Sequence, residues 1–323
     1  MHSNTERYEP VISRVGVVGA GTAGRQIALR CAQCKMHTYL FDVSPEAQRR
    51  AMETSVERLD QAVQEGALAR DAVAPILSRL QTCDRLEQCV GDVELVIEAV
   101  PEKLELKRQV FAEIDRLAPP SALLATSSSC LPCSRVADAT GRADKVLNLH
   151  FPIPPHDGAP LEVMGNPQTA PEALAQGEEF VRSLGLLPIM VKREIMGFGL
   201  NTIWHEIKKA ALHMVAGGYV DFEEVDRWWI AGTGMSVGFF AAMDNIGLDT
   251  VRDIEMLYYQ ESGDERDKPP EFLDKMIALG RLGVKSGCGF YTYPDPRYER
   301  PGWLHREPPW TPEMTIKLED LVS

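Results

Sequence analysis

The pattern of apolar positions changes character once along this chain. In the first part, short apolar runs of strand length alternate with longer stretches of helical period. Residues 14–20, RVGVVGA, form a β-rich run ending in glycine, an Ala-rich helix-period stretch follows to about Lys35, and HTYLFD at 37–42 reads as a second strand. Strand, tight turn, helix and strand in that order make a βαβ unit, whose crossover forces the strands parallel. Helical periods at 45–65 and 71–80 come next. ELVIEAV at 94–100 is then an apolar run with one interior carboxylate, as expected for a strand covered on both faces. A charged helix at 103–117, strands at 122–129, 145–151 and 161–165, a helix at 172–184 and a strand at 186–192 continue the series. Such alternation predicts α/β architecture, a Rossmann-type doubly wound sheet.

The rhythm ends near residues 192–194. Helices are predicted at 198–216, at 221–232 with Asp221 as N-cap, and near 249–261 and 270–281, and no strand pattern returns until GFYTY at 289–293. We therefore expect a sheet domain over 1–192 and an all-α domain over 193–323, in keeping with a length of 323 residues. From Pro294 onward the chain carries six prolines and two tryptophans, a tail expected to lie on the surface against a neighbour.

The turn after the first strand carries candidate chemistry. Gly19, Gly21 and Gly24 form GxGxxG (GAGTAG) between a strand and a helix, and Asp42 ends the second strand. Gly19 permits the tight turn, Gly21 leaves room for a pyrophosphate, and Gly24 lets helix and strand approach closely. The helix opening at Thr22 and Ala23 presents free N–H groups and its positive dipole end to the phosphates. Asp42 suits two ribose hydroxyls and repels a 2′-phosphate, and no arginine stands at 43 or 44 to reverse that. The expected cofactor is NAD. FAD uses the same turn, and a purely structural glycine turn is the bland reading.

Composition narrows the classes. The chain is 44% hydrophobic, enough for a sizeable core, and no apolar run approaches the ~18 residues of a membrane span. The polar start, MHSNTERYEPVIS, lacks the apolar centre of a signal peptide, so a cytoplasmic protein is expected. A net charge of −13 argues against nucleic acid as a partner. Of the seven cysteines, Cys31/Cys34 and Cys130/Cys133 form CxxC pairs. Four thiolates could hold zinc, but the first pair lies in a predicted helix, where cysteine packs as a small hydrophobe; no metal is expected.

At residues 98–107, 127–129, 150–162, 201 and 281–293 the chain resembles the 3-hydroxyacyl-CoA dehydrogenase family, and the resemblance spans about 14–293. It implies that His150, in HFPIPPHDGAPLEV, takes the substrate hydroxyl proton while hydride passes to the nicotinamide, and that Glu162, twelve residues on, holds the imidazole. The chemistry suits the pair: an imidazole titrates near neutral pH, and a carboxylate on its other nitrogen fixes the tautomer. The bland alternative is a hydrogen-bonded core histidine. The resemblance also implies that Ser129 (TSSSCL) and Asn201 (GFGLNTIWHEI) hydrogen-bond the substrate oxygen; their bland readings are a turn and a helix cap. It places Ala99, Glu102 and Lys107 (EAVPEKLELK) near the cofactor, where a solvated helix face is the competing reading, and gives Lys285 (GRLGVKSGCGFYTY) reach to the cofactor from the second domain. Trp228, Trp229 and Met243 lie on helices that read as core, and that in this family also build a dimer interface; a homodimer is implied.

Two departures bear on the substrate. Pro152 and Ile153 replace the family's usual phenylalanine and asparagine, and Pro154–Pro155 with Pro160–Leu161–Glu162 look closer to the lambda-crystallin and carnitine dehydrogenase branches, which act on free hydroxy acids such as gulonate or carnitine. The helix that is lysine-rich in the CoA enzymes reads ETSVERLDQAVQE at 53–65, with Arg58 its one base. The GVKSGCGFYTY close and GLDT at 247–250 resemble the CoA enzymes, and the balance leans to a 3-hydroxyacyl thioester. A non-catalytic protein of crystallin type and a related lyase or reductase module remain competing readings. The role given to Asp42 predicts that the purified protein binds NADH more tightly than NADPH in a fluorescence titration; equal affinities would remove that role.

Overall fold

The computed structural model describes residues 11–305 and 318–322, and the chain divides into two compact units, up to Leu200 and from Asn201 on. The sequence reading put the boundary at 192/193; the residues that follow the last strand and the opening of the next helix belong with the sheet.

The first unit runs β1 (Arg14–Val18), α1 (Thr22–Gln33), β2 (His37–Phe41), α2 (Pro45–Gln64), α3 (Val73–Arg79), β3 (Leu80–Thr82), α4 (Leu86–Val90), β4 (Leu95–Glu98), α5 (Leu104–Leu117), β5 (Leu123–Thr126), α6 (Ser134–Ala137), β6 (Val146–His150), β7 (Pro160–Gly165), α7 (Pro171–Ser183) and β8 (Leu187–Val191). The strands form one sheet in the order β3-β2-β1-β4-β5-β6-β7-β8. All neighbours are parallel except β6 and β7, which run antiparallel. Side chains alternate across it as the pleat requires. Val17, Leu95, Ile97, Leu123 and Leu147 join one apolar cluster with Ile27 and Phe180, while Val18, Val96, Leu124 and Val146 join another with Phe111 and Ile114. Burial on both faces explains why these strands read as unbroken apolar runs. The sequence reading lacked β3, α4 and α6, which are three to five residues long and too short for a period to register.

The second unit is helical: α8 (Phe198–Ala216), which opens at the end of the first unit, α9 (Phe222–Thr233), α10 (Phe239–Ile246), α11 (Leu248–Ser262), α12 (Glu271–Ala278) and α13 (Leu318–Leu321). Leu212, Phe240, Met243, Leu248, Leu273, Met276 and Phe290 build its core. Met243 is thus a core residue; Trp229 packs on Phe239 with ring centroids 4.2 Å apart, and Trp228 is exposed. No helix among the described residues is long and apolar enough to cross a membrane. In the proline-rich tail, Trp303 is buried beneath the Arg227 guanidinium at 4.4 Å; Trp310 lies outside the described residues.

The expected strand at 289–293 is not one. GFYTY takes part only in an isolated bridge, Cys288 with Thr292. Its amides serve a buried carboxylate instead: Asp244 accepts from Phe290 N (2.9 Å), Tyr291 N (2.9 Å) and Tyr293 Oη (3.0 Å). A Cβ on Gly289 would stand 2.0 Å from Asp244 Oδ1, so glycine is what admits the carboxylate. Asp226 repeats the device, taking Phe240 N, Ala241 N and Tyr291 Oη. Burial pushes the Asp244 carboxyl up from the ordinary 3.8 to about 6, against its hydrogen bonds. A group so raised favours the protonated folded state, so its stabilisation is greatest at low pH and lost as pH rises through about 6. Asp244→Asn, which turns a donor toward donors, is expected to cost about 1–3 kcal/mol in denaturant melts. The gap from the parent should widen as pH is lowered from about 7.5 to about 5, because only the parent gains a proton there; a constant gap would contradict this.

Candidate active site

Each glycine of the loop after β1 has a distinct structural reason. Gly19 has φ +110, and a Cβ there would meet Ala99 O at 2.5 Å; one on Gly24 would stand 1.8 Å from Gly19 O. Both positions are closed to a side chain by backbone. Gly21 has nothing within 4 Å of its Cβ direction, so the loop opens there. No side chain caps α1, which leaves the amides of Thr22, Ala23 and Gly24 to an anion. Asp42, just past β2, accepts Ala20 N at 2.7 Å and Ser44 N at 2.9 Å. The carboxylate therefore ties the glycine loop to the end of β2. A donor-rich, uncapped helix end, an open glycine and a braced acid fit a dinucleotide, and these residues would hold it.

The sheet's reversal at β7 sets the second part. His150 and Glu162 are direct partners in the antiparallel register, and directly opposed residues project from the same face. His150 Nδ1 lies 2.9 Å from Glu162 Oε2. The other oxygen, Oε1, accepts the amides of Gly199 (2.7 Å) and Leu200 (3.0 Å). Burial opposes ionisation of Glu162, but the bonds from His150, Leu200 and Gly199 outweigh it and hold the carboxyl below its usual range. The imidazole stacks on Phe198 at 4.6 Å and 15°. Among the described residues nothing bonds Nε2, so the dyad presents one nitrogen with a fixed tautomer and an unspent valence.

A third group ties the ends of β4 and β5. Glu98, fully buried, accepts Val100 N (2.7 Å), Thr126 Oγ1 (2.7 Å) and Lys107 Nζ (2.9 Å). Lys107 is 1% exposed and also reaches Glu102 Oε2 at 3.2 Å. The solvated-face reading of Lys107 is therefore wrong: its charge is met by two carboxylates. Glu102 in turn takes Ser128 Oγ, and Ser128 Oγ accepts Leu131 N at 2.8 Å. Ser128 is thus the turn-former, while Ser129 is exposed at the loop's tip.

The remaining candidates lie in the second unit. Asn201 is half-buried inside the first turn of α8, not at a cap position. Lys285 pairs with Asp249 at 2.5 and 2.7 Å and lowers its carboxyl below the usual range. His205, Glu206 and Asp267 converge as metal ligands can, but the Lys209 ammonium lies 2.7 Å from Glu206 and 2.8 Å from Asp267 and already meets their charge. Burial pushes the Cys34 thiol up to about 11 and raises Cys31 and Cys133 as well, which disfavours thiolates there.

Residues 14–195 match the sequence model of the 3-hydroxyacyl-CoA dehydrogenase NAD binding domain, and 197–293 that of the C-terminal domain of the same enzymes. The chain belongs to the 3-hydroxyacyl-CoA dehydrogenase family. Its first unit is accordingly the NAD-binding domain of an oxidoreductase family. A 3-hydroxybutyryl-CoA dehydrogenase of Mycobacterium tuberculosis is 34% identical over 289 residues, 87% of this chain and 99% of that one. The crystal structure of (S)-3-hydroxybutyryl-CoA dehydrogenase from Ralstonia eutropha matches 88% of this chain and 100% of its own, with 30% identity and a TM-score of 0.82. A 5-formyl-3-hydroxy-2-methylpyridine 4-carboxylate 5-dehydrogenase of Mesorhizobium japonicum is 28% identical over 286 residues, 88% of this chain and 91% of that one.

Sequence reasoning about the family site missed two residues. Glu98 was visible as a carboxylate inside an apolar strand, a signal that it needs a buried partner. Phe198 gave no signal beyond being apolar beside glycines. Removing one member of a buried ion pair leaves the other uncompensated and costs about 3–5 kcal/mol. Lys107→Met is expected to lose that much in denaturant melts, against little change for the exposed Lys103→Met; equal effects would place Lys107 in solvent.

Proposed function

We propose that this chain oxidises the 3-hydroxyl of a 3-hydroxyacyl thioester, with NAD as oxidant and His150 and Glu162 as the acid/base pair. The observation that carries the reading is the dyad itself: Nδ1 held by a carboxylate kept ionised by three donors, with no bond to Nε2 among the described residues. NAD, when bound, supplies the hydride acceptor. His150 Nε2 takes the hydroxyl proton as the carbon gives up hydride, and Glu162 stabilises the resulting imidazolium. Ser129 and Asn201, assigned by the resemblance, would donate to the substrate oxygen. Reversal returns the same proton.

A second reading, a free hydroxy acid such as gulonate or carnitine, is favoured by the charges on α2. Arg49 of α2 pairs with Glu46 and Glu53, and Arg70 pairs with Asp60, so these two cations are already met by carboxylates before any CoA phosphate arrives. The Mesorhizobium relative is named for a pyridine carboxylate. We place the protein in the cytoplasm as a homodimer, a state consistent with the exposed Trp228 on α9.

The experiment is NAD reduction with 3-hydroxybutyryl-CoA beside free 3-hydroxybutyrate, carnitine and gulonate. The thioester is expected to turn over fastest. His150→Gln should keep NADH binding and lose roughly 10²–10⁴-fold in turnover. Turnover that survives the substitution refutes the mechanism, and no turnover of any substrate by the parent favours a non-catalytic role.

A further inference from the structure

The path from β8 into α8 is strained. Gly197 has φ 75 and Phe198 φ 58. Glycine adopts such a conformation freely, whereas a bulky L-residue rarely does. Phe198 is nonetheless completely buried, so the surrounding structure holds it there. Two things depend on this turn. Its ring lies flat on the His150 imidazole, 4.6 Å between centroids and 15° between planes. The two amides that follow, Gly199 and Leu200, point together at Glu162 Oε1. The fit at Gly199 is close: a Cβ there would stand 3.1 Å from the same oxygen.

A hydrogen bond through Nδ1 fixes one direction of an imidazole ring but leaves it free to rock about the Nδ1···Oε2 line. A flat partner against one face removes that freedom. We propose that Phe198 is a positioning residue for the reaction: its ring sets the plane of His150, and its left-handed backbone turns two amides onto Glu162, so that one residue orients both members of the dyad. The inference rests on the role given to His150 and Glu162 above.

Near-attack geometry is sensitive to small displacements, and a shift of about 1 Å can cost roughly 10²-fold in rate. Phe198→Leu and Phe198→Met keep an apolar side chain but no flat face. Both are expected to lower kcat by about 10- to 100-fold while KM for NAD and NADH affinity stay near the parent's. Phe198→Tyr, which retains the ring, should restore most of the rate. This kcat-against-KM split with rescue is not what a merely structural residue gives. Variants that lose NADH binding together with turnover would make Phe198 a folding residue and overturn the proposal; so would full activity in Phe198→Leu, or failure of Phe198→Tyr to recover. A parent enzyme without turnover overturns the dehydrogenase reading first and this inference with it, whereas an active parent with unaffected variants overturns this inference alone.

Discussion

The architecture around the candidate site depends on one buried carboxylate, Glu162. A carboxylate with little solvent survives as an ion only if donors replace its water. Here one comes from an imidazole across a strand pair and two from the backbone at the start of α8. The same three bonds join the end of β6, the start of β7 and the chain leaving β8. That convergence explains why the segment around Phe198 accepts a conformation costing about 1–2 kcal/mol for an L-residue: the relaxed alternative would leave a buried charge short of donors, which is worse.

The ends of β4 and β5 follow the same logic in a different form. Glu98 and Lys107 are buried together, and ion pairs so placed contribute little net stability because desolvation offsets attraction. What they supply is geometry. Glu98 draws Val100 N and Thr126 Oγ1 to one point, and Lys107 extends the tie to Glu102 and so to Ser128. The loop bearing Ser129 and the backbone that closes over Gly19 are thus parts of one polar network within the sheet's central strands.

Much of this was legible in the sequence because it is local. The strands of the first unit follow from short unbroken apolar runs and its long helices from a period of 3.6, and the glycine loop from what backbone alone permits at Gly19, Gly21 and Gly24. The His150–Glu162 pairing was legible through resemblance, and register supplies its physical reason. The rest depends on contacts distant in sequence or on burial. Lys107 sits among charges on an amphipathic helix, and nothing nearby says that it points inward to Glu98. GFYTY alternates like a strand, yet its amides are claimed by Asp244, some 46 residues earlier, and that demand outweighs β-propensity. The left-handed turn at Phe198 has no compositional signature, since glycine is the residue such a backbone favours and the buried phenylalanine ring gives no sign of it.

The antiparallel pairing of β6 with β7 has a consequence for how such a protein can diversify. The two side chains meet through ladder register, so strand pairing, and not the path of the segment 151–159 between them, brings imidazole and carboxylate together. A one-residue slip inside either strand, by contrast, would send the two groups to opposite faces. Composition can therefore change most readily in the exposed stretch around Ile153 and Pro154, since Phe151 and Ala159 belong to the sheet's core and Asp157 pairs with Arg30.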